Sequence, residues 1–353
     1  MAEAARKKIA VVLFNLGGPD NQADVRPFLF NLFRDKAIIA LPAPARLSIA
    51  FLVSTLRTKT ARANYALMGG GSPLLAETQA QADALAGQLA LRAPDCDWRV
   101  FIGMRYWAPY VADAARAVAD WGADEAVLLP LYPQYSTTTT GSSLAEWRRV
   151  WKGAPAHAVC CYPDCTGLAD AYAQLTREAW LQAGAPPNTR LLFSAHGLPE
   201  ATVARGDPYP HHVARTAAAI AHRLPEFSDT QICYQSRVGP MKWIGPSTDA
   251  EISRAAREGK TILVCPLAFV SDHVETLVEL DIEYRHIAER DGAAAYIRVP
   301  TPRTHPEFIG ALAALALHSL AAPGVQPGTL SRVCSAIESG CILRAAAKGH
   351  KPA

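Results

Sequence analysis

The run Ile9-Ala10-Val11-Val12-Leu13-Phe14-Asn15-Leu16 stops at Gly17-Gly18-Pro19-Asp20. An unbroken apolar run with no alternation belongs to a strand covered on both faces, the condition of a parallel strand in an α/β sheet. Seven more runs of strand type follow, at Trp98–Gly103, Glu125–Tyr132, His157–Cys161, Arg190–Ala195, Gln231–Gln235, Thr261–Phe269 and Ala295–Val299. Helical patterns lie between them, at Ala23–Phe33, Pro73–Leu91, Val111–Trp121, Leu168–Ala183, His211–Leu224, Thr248–Glu258 and Asp272–Arg290. Strand and helix in alternation predict βαβ units and parallel sheets. The strands divide into two sets of four at the Cys/Pro/Asp cluster Tyr162–Gly167. The expected fold class is α/β: two Rossmann-like domains, each a four-stranded parallel sheet flanked by helices, with a cleft between them. Functional residues are then expected just past the carboxyl ends of strands. The expected boundaries are 7–165, with an apolar lip at about 28–56 and joined by the helix 305–320; 166–304; and 321–353, a linker and Cys-bearing tail.

Composition agrees with a folded chain. Of 353 residues, 50% are hydrophobic and 19% charged, which excludes a disordered polyelectrolyte. Lys and Arg number 35 against 32 Asp and Glu, so no electrostatic footprint for nucleic acid is expected. The start of the chain predicts neither a secretory nor a membrane-spanning segment. The eight cysteines are therefore not expected to form a disulfide framework, and the expected compartment is the cytoplasm.

Several motifs carry chemistry. The glycine loops Gly17-Gly18 and Gly69-Gly70-Gly71-Ser72-Pro73 suit either tight turns or close approach of backbone to a ligand, with Ser72 also a candidate N-cap. Neither has the spacing of a dinucleotide fingerprint. The apolar stretches Ile38–Pro42 and Leu47–Val53, flanked by Arg34, Lys36, Arg46, Arg57 and Lys59, read as buried helix packing or as a lip over a flat hydrophobic ligand or membrane surface. Seven hydroxyl side chains in Ser136–Ser143 read as a polar N-cap loop or as a site for an anionic group.

His196 stands at the carboxyl end of the run Leu191–Ser194, followed by Gly197-Leu198-Pro199. A His so placed is a candidate for proton transfer or metal ligation, the alternative being a hydrogen-bonded core residue. A Ser194–His196 nucleophile lacks a third group to orient the base. Beyond the run Thr261–Phe269, Glu275, Glu279 and Glu283 recur every four residues on one helical face, among Leu277, Val278, Leu280 and Ile282. They read as a solvated face or as a path for a divalent cation. A neutral His facing such carboxylates could bind a metal and accept protons, which metal insertion into an N–H macrocycle requires.

Eight stretches, in order, together resemble the ferrochelatase family, which inserts ferrous iron into a porphyrin. They are Asn15–Pro19; Tyr65 with Gly69–Pro73; Gly103–Tyr106; Pro133–Ser143; Ser194–His196; Arg205–Pro210; Gln235–Met241; and Ser271–Tyr284, within a resemblance spanning about residues 9–320. The resemblance implies a chelatase-like fold, protoporphyrin IX and Fe²⁺ as substrates, release of two protons, and the terminal step of haem biosynthesis. It implies His196 and Glu275 at the inserted iron, Asp272 and His273 as neighbouring catalytic residues, and Glu279 and Glu283 as a path for metal or protons. Arg57, Tyr65, Arg105, Tyr106 and Trp243 are implied beside the macrocycle and its propionates, with Leu16, Ser72 and Ser142 in the matched stretches taken as porphyrin-binding too. Arg suits propionates because its donors form a fork. Gly197 departs from the family, where many relatives carry Ser, and Leu16 stands where some carry Met.

Some members of the family hold a [2Fe–2S] cluster on four cysteines. The implied set here is Cys161, Cys165, Cys334 and Cys341, with Cys160 the rival of Cys161 and buried unligated thiols the alternative. No organic cofactor is implied. A monomer or homodimer, with peripheral contact to the inner membrane through the apolar lip, is the expected assembly. The alternative functions are a chelatase of coproporphyrin or another tetrapyrrole, and a non-catalytic porphyrin or haem carrier. The carrier would need neither His196 with Glu275 nor the acidic ladder.

Overall fold

A computed structural model describes residues 6–321 except 238 and 240, together with 324–328, 334 and 340. The chain forms two compact units. The first comprises the described residues within Met1–Cys161 and Leu312–Gly328, the second those within Tyr162–Ala311 and Thr329–Cys341.

The first unit contains β1 (Lys7–Asn15), α1 (Val25–Phe33), α2 (Ala43–Ala66), α3 (Leu74–Arg92), β2 (Cys96–Met104), α4 (Val111–Trp121), β3 (Glu125–Pro130), α5 (Thr140–Val150) and β4 (Ala156–Val159). The second contains α6 (Thr166–Gln182), β5 (Thr189–His196), α7 (Glu200–Ala204), α8 (Tyr209–Ala221), β6 (Thr230–Gln235), α9 (Thr248–Arg257) and β7 (Thr261–Cys265). A π-helix (Glu275–Glu283), α10 (Tyr284–Arg290) and β8 (Ala295–Arg298) complete its sheet and covering helices. The helix α11 (Pro306–Leu320) gives its residues up to Ala311 to the second unit and the rest to the first. A short β9 (Val325–Gln326) belongs to the first.

Every strand pair is parallel. The sheets run β2-β1-β3-β4-β9 and β6-β5-β7-β8. The second sheet has the expected four strands, but the first has five. Residues 321–328 were expected to be a linker, yet Val325 and Gln326 add an edge strand to β4, and Gly328 N–H donates to the Cys161 carbonyl at 2.7 Å. A two-residue strand has too short a pattern to be seen in sequence.

The central strands explain the apolar runs. Ala10–Phe14 of β1 have no exposed surface, and neither do Leu191 and Leu192 of β5 or Ile262–Cys265 of β7. In the second unit Leu192, Cys233, Ile252, Ile262, Val264 and Leu280 form one core cluster. Cys233 and Cys265 are strand core, and burial pushes the Cys233 thiol up to about 12. Cys96 opens β2.

Two helices depart from the sequence expectation. The expected lip, about 28–56, begins in α1, where Phe28 and Leu29 are buried, and ends in the 24-residue α2, where the reading as buried packing fails: only Ala50, Ser54 and Tyr65 are buried. Leu47, Phe51, Leu52 and Leu56 stand exposed, with Phe51 at 58% and Leu56 at 69%. The four fall on one side, at spacings of four and five. The loop rich in hydroxyls becomes α5 from Thr140 onward, held by buried Leu144 and Trp147 despite weak helix formers in its first turn.

Strand order places the sites. In each unit the chain's first strand, β1 or β5, lies between the second and third, so the order reverses at it. Ligands of open α/β sheets bind at that switch point, beyond the carboxyl ends of the strands. The ends of β5, β6 and β7 carry His196, Gln235-Ser236 and the segment leading to Glu275. The ends of β1, β2 and β3 carry Asn15-Leu16, Arg105-Tyr106 and the segment leading to Ser142.

Candidate active site

In the second unit His196 ends β5 in register with Gln235, which ends β6. The His196 Nδ1 lies 2.9 Å from Glu275 Oε2. With Nδ1–H donated to the carboxylate, Nε2 is left as the free atom of the ring, the one able to take a proton or a metal. Burial disfavours the imidazolium, but Glu275 outweighs it and raises His196 above the ordinary value. Burial likewise pushes Glu275 up, and His196 overrides it, holding the carboxyl down at about 2. The pair therefore stabilises a proton on the imidazole, as a base needs while it accepts one.

The residues around the pair come from all three strand ends. Ser194 is buried and its hydroxyl donates to Gln235 Oε1 at 2.7 Å, with Thr248 Oγ1 at 3.0 Å. It supports Gln235, which agrees with the missing third group of a nucleophilic serine. Gln235 Nε2 donates to the Glu275 carbonyl at 2.9 Å and to Glu279 Oε2 at 3.0 Å. The helix expected over Asp272–Arg290 opens as nine residues of π-helix before becoming α10. The wider i→i+5 turn leaves the Glu275 carbonyl within reach of that side-chain donor.

The acidic ladder is not uniform. Glu275 and Glu279 face the network, whereas Glu283 is exposed. Burial, and then the nearby Glu275 charge, raise Glu279. His273 Nδ1 accepts the Glu275 N–H at 3.1 Å, and its ring meets Phe269 edge-on at 4.7 Å. Burial lowers His273, keeping it neutral. Asp272 is only 1% exposed. It accepts from Arg298 Nη1 at 3.1 Å and Arg303 Nε at 3.0 Å, while Arg298 also grips Asp281 at 2.7 Å. Asp272 thus anchors the segment that carries His273 and Glu275 and offers no free carboxylate to a substrate.

Trp243 packs beside the same strand end. Its segment bridges Pro199, and Glu200 N–H donates to the Lys242 carbonyl at 2.9 Å. A Cβ at Gly197 would sit 2.9 Å from the Gln235 carbonyl and 3.2 Å from the Trp243 ring. Glycine at 197 is therefore what lets the indole close on the strand carrying His196.

In the first unit Arg105, Tyr106 and Ser142 converge on a residue the sequence reading passed over, Asp35. Arg105 Nη2 is 2.9 Å from Asp35 Oδ2 and its Nε donates to Ser142 Oγ at 2.7 Å. Tyr106, fully buried, donates its hydroxyl to Asp35 Oδ2 at 2.8 Å, and the Ser142 hydroxyl donates to the same oxygen. Arg105 is thus held by a buried carboxylate, and it lines a pocket of about 230 Å³ together with Asn31, Arg34, Tyr110 and Glu146. Tyr65 is buried on α2, and Arg57 lies 5.9 Å over the Phe33 ring, its charge disfavoured by burial.

The two glycine loops, read separately in the sequence, pack against each other. Ser72 N–H donates to the Pro19 carbonyl at 2.8 Å, and a Cβ at Gly71 would lie 2.2 Å from the Asp20 carbonyl oxygen. Tyr106 N–H in turn donates to the carbonyl of Leu16, which is half-buried, at 2.9 Å.

The cysteine set tests differently. Cys160 and Cys161 are buried with their sulfurs 3.1 Å apart, and Cys334 Sγ is 3.3 Å from His212 Nε2. Burial raises the Cys165 thiol. Cys341 lies outside the described residues. Among the described residues no three His, Cys, Asp or Glu side chains gather as metal ligands do, so they do not supply a four-thiolate site.

Comparison with known proteins bears on the whole chain. The ferrochelatase family model matches residues 8–320. A ferrochelatase of Phenylobacterium zucineum is 58% identical, over 96% of this chain and 98% of its own. Ferrochelatases of Caulobacter vibrioides and Hyphomonas neptunium are 57% and 53% identical, over 93% and 95% of this chain and 94% of each of theirs. Among solved structures, a multi-domain Deinococcus radiodurans protein described as similar to chelatases aligns with a TM-score of 0.50 at 14% identity. That alignment covers 88% of this chain and 54% of that one, and supports the fold alone.

Proposed function

The chain belongs to the ferrochelatase family, and on that footing we propose that His196 and Glu275 form the metal and proton end of its active site. The enzyme inserts ferrous iron into a porphyrin in haem synthesis. Two pyrrole N–H protons must leave as the metal enters. The observation that carries the reading is the 2.9 Å contact of His196 Nδ1 with Glu275, which directs Nε2 outward as base or ligand. His273, kept neutral by burial, fixes the first turn of the π-helix through the Glu275 N–H. Asp272 anchors that turn, and Trp243 with Gly197 forms its apolar side.

Arg105, with Arg57, Tyr65, Ser72, Ser142 and Leu16, is proposed to hold the macrocycle and its propionates. Asp35 takes part of the Arg105 charge, so the guanidinium is fixed in place before a propionate arrives. Protoporphyrin IX is the proposed substrate. The test is anaerobic turnover with Fe²⁺, or with Zn²⁺ in air, offering protoporphyrin IX and coproporphyrin III in competition. Faster consumption of protoporphyrin supports the reading, preference for coproporphyrin replaces the substrate, and binding of either without insertion indicates a carrier. A [2Fe–2S] cluster would draw on Cys161, Cys165, Cys334 and Cys341 and has no part in these steps. Iron and acid-labile sulfide in the purified protein read it directly.

The exposed face of α2 is proposed to rest on a membrane surface, consistent with a cytoplasmic enzyme whose product is hydrophobic. Among the described residues no helix is long and apolar enough to cross a membrane. The helix Ala43–Ala66 carries Arg46, Arg57, Lys59 and Arg62 and no acidic residue. Apolar residues beside cations are the makings of an interfacial helix. Replacing Phe51, Leu52 and Leu56 together by Ser should weaken sedimentation with phosphatidylglycerol vesicles about tenfold. Undiminished binding would remove α2 from the interface.

A further inference from the structure

The Glu279 carboxylate is fully engaged. Its Oε1 accepts the Ser236 backbone N–H at 2.8 Å and the Tyr284 hydroxyl at 2.8 Å. Its Oε2 accepts Gln235 Nε2 at 3.0 Å and the Ser236 hydroxyl. An ionised carboxylate has about four acceptor sites, and here each oxygen has two donors. A divalent cation could use Glu279 only after one of those donors had withdrawn. Glu275, one turn earlier, has fewer donors on its carboxylate, His196 and the Ser236 hydroxyl, and keeps acceptor capacity beyond them.

Ser236 supplies two of the four donors, one to each oxygen. It can do so because its backbone is left-handed, at φ 63°, a conformation that residues with a Cβ rarely adopt. Glycine would suit that backbone better but would carry no hydroxyl. The residue thus combines an unfavourable backbone with a hydroxyl that bonds Glu279 and also lies within reach of Glu275. Gln235, locked by Ser194, prevents the second oxygen from turning away.

We propose that Ser236 is a positioning residue that keeps Glu279 from ligating the incoming metal, so that the metal passes to Glu275 and His196 without being held one turn deeper. This rests on the reading of His196 and Glu275 as the metal end. Removing the Ser236 hydroxyl frees an acceptor site on Glu279, which then retains the cation. Metal binding tightens and turnover slows because the retained metal must leave Glu279 before insertion.

The test uses the full chain without porphyrin, titrated with Zn²⁺, and compares Ser236→Gly with Ser236→Ala. The first relaxes the backbone and the second does not, yet both lose the hydroxyl. Both should bind Zn²⁺ roughly fivefold or more tightly than the parent, the order expected from one freed charged acceptor. Adding Glu279→Gln should abolish the gain. In turnover, KM for Zn²⁺ and kcat should fall together while KM for porphyrin stays unchanged. Unchanged or weaker Zn²⁺ binding, a gain confined to one of the two variants, or a gain that survives Glu279→Gln would overturn the proposal. The Zn²⁺ titration does not pass through catalysis, whereas the reading on which it rests fails separately, on turnover of His196→Ala.

Discussion

Anaerobic iron insertion by a His196→Ala variant is expected to be about a thousandfold slower than by the parent enzyme, with porphyrin binding retained. A positioned acid or base contributes typically 10²–10⁴-fold. His196 is the residue whose Nε2 is left free by the bond from Nδ1 to Glu275, so on the proposed reading its loss removes base and ligand at once. Glu275→Gln should cost less, about a hundredfold. The glutamine keeps a hydrogen-bond acceptor for Nδ1–H but no longer stabilises the imidazolium. Porphyrin binding, read by quenching of tryptophan fluorescence, should stay within twofold in both variants. Near-normal turnover of His196→Ala would show that the imidazole is structural and would shift the chemistry to another group. A parallel collapse of porphyrin binding would mean that the substitution damages the fold around β5.

Arg298→Met is expected to destabilise the second unit by about 3–5 kcal/mol, the range for removing one partner of a buried ion pair. The Arg298 guanidinium bridges Asp272 and Asp281, and Asp272 has almost no contact with water. In the parent, burial pushes the Asp272 carboxyl up, but Arg298, with Thr276 and Arg303, holds it below the ordinary value. A carboxyl whose folded value is depressed contributes stability that is complete above its unfolded value, near 4, and lost as pH falls through the folded one. Without Arg298 the folded value rises while Arg303 and Thr276 still hold the carboxylate, so the stability that Asp272 contributes shrinks. The gain in stability as pH rises through the acid range is then smaller in the variant than in the parent. Urea unfolding at several pH values, analysed for two transitions because the chain has two units, reads both effects. A loss under about 1 kcal/mol, or an unchanged pH slope, would show that Arg303 and solvent replace Arg298.

The strands were legible because their runs are apolar on both faces, and burial between helix layers demands that. The candidate residues His196 and Glu275 were legible because each follows such a run. Asp35 was not. It sits in the charged stretch Arg34-Asp35-Lys36, which looks solvated, and its partners Tyr106 and Ser142 lie 71 and 107 positions away. The same holds for Ser236, whose partner Glu279 is 43 residues on. The π-helix was hidden because carboxylates every four residues fit an α-helix as well.

By itself the sequence determined which segments are buried strands, which residues stand at their carboxyl ends, and hence which side chains were candidates. That information is local, since burial and periodicity are properties of consecutive residues. Only the tertiary structure decided that β5 lies between β6 and β7, and β1 between β2 and β3. Those orders bring three strand ends to one point in each unit. They put Gln235 and Ser236 on Glu279, Asp35 on Arg105, and two arginines on Asp272. A hydrogen bond between residues tens of positions apart exists only once strand order and register are set, because its energy falls away within a fraction of an ångström and a few tens of degrees.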